Sequence, residues 1–136
     1  MVDLVITAAN VVKGAGAKTF PGTIGETVTA GQLAVRDATT KKFVKADSNG
    51  VAALKKVDGI FLNGGAVNQP CVVLTEGPIT IGATLTVGER YFLSDTAGGI
   101  IPTADLSTGE QVVYIGTAIS TSVLDVKIHN PGVAVP

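Results

Sequence analysis

The fragment Thr27-Val28-Thr29-Ala30-Gly31-Gln32 returns 57 positions later as Thr84-Leu85-Thr86-Val87-Gly88-Glu89. The same offset, without a gap, sets Val44 on Ile101 and Gly59 of Val57-Asp58-Gly59-Ile60 on Gly116 of Tyr114-Ile115-Gly116-Thr117. The repeated positions are turn glycines and strand residues, so one β unit is used twice. A unit of about 50 residues buries too little apolar surface to stand alone, so the copies are expected to be halves of one body. None of the repeated positions carries reactive chemistry, which points to shape and surface instead of catalysis.

The rest of the chain supports strands. Short apolar runs rich in Val, Ile and Thr are separated by glycine turns such as Asn63-Gly64-Gly65 and by Asp47-Ser48-Asn49-Gly50. Tyr91–Ser94 and Gly98–Pro102 form the arms of a hairpin, and Thr39–Val44 follows Gln32–Val35 in the same way. Gly77-Pro78 reads as a break between a strand at Cys71–Glu76 and another at Ile79–Ile81. In Asp125-Val126-Lys127-Ile128 the alternation is clearest, with Val126 and Ile128 on one face. The fold expected is all-β, a compact β-barrel or β-sandwich with an internal duplication and an extended N-terminal arm.

Three parts are expected. Residues 1–26 form an N-terminal arm or edge segment, with Gly14-Ala15-Gly16 as its flexible middle. Such an arm can add a strand to a neighbour or lie on its own sheet. Residues 27–130 form a single β domain made of two related halves. Residues 131–136, a tail bounded by Pro131 and Pro136, are unsuited to a central strand and are expected to rest against a neighbour.

Composition narrows the partners. Charged residues make up 15% of the chain, against about 25% in a typical soluble domain. Much of the surface is therefore neutral, and part of it is expected to be covered by other proteins. Net charge is −1 and Trp is absent, which argues against nucleic-acid binding. Lys41, Lys42 and Lys45, with Lys55, Lys56 and Arg36, make the densest basic stretch and suit a solvated edge or an acidic partner. No run reaches the length of a membrane span, the N-terminus is expected to be no signal peptide, and the single Cys71 suits a buried thiol in a reducing compartment.

Searching for chemistry yields little. His129 is the only histidine, and no CxxC, HExxH or GxSxG pattern occurs. Gly14-Ala15-Gly16-Ala17-Lys18-Thr19 departs from a phosphate loop at Ala17, and Pro21-Gly22 prevents a helix from opening there. Asp95, Asp105 and Glu110 could approach one another, but paired carboxylates alone do not make a glycosidase. No catalytic, cofactor-binding or metal-ligating residue is expected, and no enzyme activity.

The stretch Val28–Val35 followed by Val57-Asp58-Gly59-Ile60 resembles small structural proteins of tailed bacteriophages. Gly88–Ser94 with Gly98–Thr103, continued by Val112–Ala118, resembles capsid decoration, cement and head-fibre proteins. The resemblance covers roughly residues 27–129 and consists of β-turn-β patterns. It implies a protein on the outer surface of the phage head, made in the host cytoplasm, that bridges major capsid protein subunits. It also implies a homo-oligomer, a trimer before a dimer, at local three-fold or two-fold positions. A tail or fibre module with an exposed site around Tyr91, Asp95 and Tyr114 is the alternative.

Overall fold

The computed structural model describes residues 3–48 and 50–134. The protein is all-β. Its strands are β1 (Val12–Lys13), β2 (Lys18–Thr23), β3 (Leu33–Arg36), β4 (Phe43–Lys45), β5 (Gly59–Phe61), β6 (Pro70–Thr80), β7 (Arg90–Leu93), β8 (Ile100–Pro102), β9 (Tyr114–Ala118) and β10 (Val123–His129). They form one curled antiparallel sheet in the order β4-β3-β5-β6-β10-β9-β7-β8, with β1 and β2 also paired to β6. Short 3₁₀ turns at Ala52–Leu54 and Thr103–Asp105 lie between β4 and β5 and between β8 and β9, where the sequence suggests connections.

The long strand β6 has four neighbours. Leu74 faces Thr19 of β2 on one edge and Ile60 of β5 on the other. Thr80 faces Val12 of β1 on one edge and Val123 of β10 on the other. The expected break at Gly77-Pro78 is therefore absent: one strand crosses it. Gly77 takes φ +111°, a region cheap only for glycine. The register also shifts between Lys18 and Thr19 opposite Thr75. Together these let β6 bend while its neighbours change. Pro78 offers no N–H, and its carbonyl accepts from Gly14 (2.7 Å) where the opposite chain bulges.

The sequence repeat is a repeat of pairing. Val35 faces Val44 in the first repeat, and Phe92 faces Ile101 in the second. Ala34 faces Gly59, and Tyr91 faces Gly116. The circuit β2-β6-β5-β3-β4 recurs as β6-β10-β9-β7-β8. Both repeat glycines sit where strands crowd. A Cβ on Gly59 would lie 2.9 Å from the Leu74 carbonyl oxygen, and one on Gly116 would collide with that of Asp125.

The two circuits close differently. In the first, the chain leaving β2 meets β4, with Gly25 N–H donating to Phe43 O (2.8 Å). In the second, Ile100 holds the position of Phe43, and its carbonyl accepts from Leu4 N–H (2.8 Å) while Thr7 N–H donates to Gly82 O (2.8 Å). Residues 4–7 thus fill the seam. With β1 and β2 along β6, the N-terminal region lies on its own sheet instead of reaching out as a free arm. The tail also folds back: Val112 N–H donates to Val133 O (2.8 Å). Residues 135–136 lie outside the described residues.

Apolar side chains fill two spaces. A smaller core inside the first repeat holds Ile24, Ala34, Phe43, Phe61, Cys71 and Val73. A larger one holds Leu33, Val35, Ile60 and Leu74 from the first repeat with Leu93, Ile100, Val113, Ile115, Leu124 and Val126 from the second. Leu33–Val35 of β3 and the whole of β5 are buried on both faces, which explains their apolar runs.

Replacing Gly59 or Gly116 by Ala should each lower stability by about 1–3 kcal/mol, because a methyl group is forced against a carbonyl that the sheet cannot move. Chemical denaturation checks this: a lower midpoint with an unchanged slope is the expected result.

Candidate functional site

The first repeat opens at one end into a cleft of about 380 Å³. Phe20 from β2 and Phe43 from β4 meet edge to face there, 6.0 Å between centroids. The Arg36 guanidinium stands 5.6 Å from the Phe20 ring centre, an attractive cation–π placement. Lys41 and Lys56 complete the rim with Asp37 and Asp58. Both carboxylates are turned into backbone. Asp58 accepts the Arg36 main-chain N–H (2.8 Å), and Asp37 accepts those of Thr39 (2.7 Å) and Thr40 (3.1 Å). The Thr40 and Thr39 N–H groups hold the Asp37 carboxyl below its ordinary pKa. Among the described residues, Arg36, Lys41 and Lys56 make no ion pair, so the rim keeps surplus positive charge.

The basic stretch of the sequence is thus divided. Lys42 donates to Asn68, Lys45 pairs with Glu26 (3.9 Å), and Lys55 lines an adjoining hollow with Gln111 and Asn130, which Lys56 shares with the cleft. Arg36, Lys41 and Lys56 are brought together because β3, the loop after it and the approach to β5 share one end of the sheet.

A second surface has the opposite character. Val5, Thr7, Asn10, Val12, Thr80 and Thr84 line an open groove of about 660 Å³ with no charged residue in its lining. Val5 is 87% exposed and Val12 58%. The N-terminal segment and the edge of β1 place them there, and no signal in the sequence beyond a low charge density announces the groove.

A third feature is buried. Glu110 is 3% exposed, and Ser48 is fully buried. Among the described residues, neither the Glu110 carboxylate oxygens nor Ser48 Oγ has a hydrogen-bond partner. Burial pushes the Glu110 carboxyl pKa up, the Ser107 main-chain N–H partly offsets this, and the charges of Asp95 and Asp3 raise it further. Of the three carboxylates that the sequence could bring together, Asp95 does bear on Glu110. The third contributor is Asp3, not Asp105.

Other singled-out residues fall elsewhere. Tyr91 is a core residue whose hydroxyl accepts the Thr86 N–H (3.1 Å), so it cannot join Tyr114 in an exposed platform. Tyr114 meets Phe92 edge to face at 5.7 Å and bonds Thr117 through its hydroxyl. His129 is exposed at the end of β10 opposite Tyr114. The Cys71 thiol is buried, which raises its pKa. Gly14 is bound to Pro78, and Lys18 pairs with Glu76 (3.3 Å) on β2, an extended strand and not a helix start. Among the described residues no set of three or more His, Cys, Asp or Glu side chains is placed to hold a metal ion. No helix there is long and apolar enough to cross a membrane.

Compared with family models and with curated proteins, the chain matches none at a significant level.

Because the folded state favours protonated Glu110, ionisation costs stability. The cost is full above the raised pKa and fades as pH falls toward the ordinary carboxylate range. Glu110→Gln should therefore stabilise the protein by about 1 kcal/mol at pH 8, with the gain shrinking toward pH 4. Melting temperatures of both proteins across that range are the measurement.

Proposed function

We propose that the protein is a capsid decoration, or cement, protein that binds the outside of a bacteriophage head and stabilises the major capsid lattice. The observation that carries this reading is the uncharged groove around Val5 and Val12 on a sheet-built body. Its lining carries no charged residue, and charged residues are depleted at the centres of protein interfaces. The resemblance of the two repeats to decoration and head-fibre proteins supports it. So does the low charge of the chain, which leaves neutral surface for contact.

Cement action follows from mass action. A ligand that binds the assembled shell and not its free subunits stabilises the shell against disassembly. Rigid bodies repeated over a lattice convert modest contacts into tight attachment. A curled sheet with its seams hydrogen-bonded suits this role because little conformational freedom remains to be lost on docking. The major capsid protein and further copies of this chain are the partners in this reading.

Purified protein added to phage heads should saturate discrete outer positions, seen by electron microscopy. Val5→Asp and Val12→Asp should each reduce occupancy about tenfold, since each buries an unpaired charge at the contact, while the sheet spectrum is retained. Labelling confined to tails, or occupancy indifferent to both substitutions, would sink the reading.

A further inference from the structure

The two repeats meet through a contact that is not symmetric. The β7–β8 loop of the second repeat lies on the first. Leu33 N–H donates to Gly98 O (2.9 Å), Gly98 N–H to Ala46 O (2.7 Å), and Ser48 N–H to Ser94 O (3.1 Å). The matching loop of the first repeat, Asp37–Lys41, has the same turn at the matching residue: φ is +64° at Lys41 and +77° at Gly98. A lysine held in that region is strained, and such strain is a pointer to function. Ala38 to Lys41 are exposed.

The surface that receives the Gly98 loop is also present twice. Thr29–Leu33 and Ala46 correspond to Thr86–Arg90 and Thr103, which line an open hollow of about 400 Å³. There the Arg90 N–H, counterpart of the Leu33 donor, is taken by the Glu89 side chain (3.0 Å). The sheet face beside it repeats as well. Leu33, Val35 and Ile60 of the buried face become Arg90, Phe92 and Thr117, which solvent reaches. The molecule thus makes this contact once internally and displays a counterpart of each half on its surface, where the main-chain groups are held within the chain: Lys41 N–H donates to Asp37 O (2.8 Å), Lys41 O accepts from Arg36 Nε (3.3 Å) and Thr103 O accepts from Leu106 N–H (3.3 Å).

We propose that a second molecule of this chain completes the contact head to tail, the Asp37–Lys41 loop of one entering the Thr86–Arg90 surface of the next. Charge fits the pairing. A side chain added at Gly98 would lie against Gln32. At the intermolecular contact Lys41 supplies that side chain, and Glu89 stands in the place of Gln32. Arg90, Phe92, Thr117 and Asp125 then come over the cleft that holds Arg36, Lys56 and Asp58, with Asp125 the carboxylate that faces its cations. A head-to-tail contact builds rings or open chains according to its rotation. The polar residues on the receiving face make it reversible. The association needs no viral shell, so its failure is distinguishable from failure of the decoration reading, in which further copies of this chain are also partners.

Sedimentation of the purified chain over a concentration series tests this. Reversible association is expected. Lys41→Glu and Glu89→Lys should each weaken it about tenfold, and an equimolar mixture of the two variants should restore it. Lys41→Gly gives a second signature: it relieves the strained turn, so the melting temperature rises while association weakens. A chain that stays monomeric at every concentration overturns the proposal. So does association that ignores both charge reversals, or that responds to Val5→Asp instead.

Discussion

The main-chain pairing of β6 is the interaction on which the rest depends. One strand of eleven residues supplies an edge to β5 and β10 on one side and to β1 and β2 on the other. Without it the two repeats would be separate curls, each too small to hide its apolar face. With it they share one hydrogen-bonded backbone, and the larger core draws side chains from both. The bend near Gly77 lets a single strand serve two circuits of different direction.

Duplication gave two similar units, but a contact between similar units that is not a two-fold leaves different faces exposed. The cleft shows this directly. Phe20 and Val73, cross-strand partners in the first repeat, correspond to Ile79 and Leu124, partners in the second. Arg36, Lys56 and Asp58 correspond to Leu93, Val113 and Ile115. These second-repeat residues all lie in the large core. The mouth of the second circuit is therefore stoppered by the first repeat, whereas the mouth of the first is open and carries charge. Sequence divergence between the repeats follows burial: apolar where covered, charged where wet.

Much of this architecture was legible. The repeat predicted equivalent strands, and the equivalence of Gly59 with Gly116 marks a place where backbone approaches backbone. The alternation in β10 matches its burial, with Val126 buried and Ile128 partly buried against the same core. Gly77-Pro78 misled, because glycine and proline punctuate loops far more often than they permit a bulge in a long strand. The N-terminal region misled in part. Its glycines suggest a free arm, yet the edge of β6 and the seam at Ile100 are unmet needs within the same chain, and the nearest strand satisfies them. The site was less legible. Arg36, Lys41 and Lys56 are adjacent only because the sheet curls, and the groove at Val5 joins residues far apart in sequence. No periodicity encodes either.

Glu110 shows what holding the repeats in register costs. Gln111 N–H donates to Ser48 O (3.0 Å), Ser48 N–H to Ser94 O (3.1 Å), and the Ser94 hydroxyl to Asp3. The first repeat, the second repeat and the N-terminal segment meet at this chain of bonds, and Glu110 is buried beside it, its carboxylate oxygens without a hydrogen-bond partner among the described residues. Apolar packing alone tolerates sliding, because one methyl group substitutes for another. Directional bonds do not, so the junction fixes which residues face each other. The carboxylate subtracts from stability at the same place. The junction therefore combines the bonds that fix register with a group whose burial opposes them.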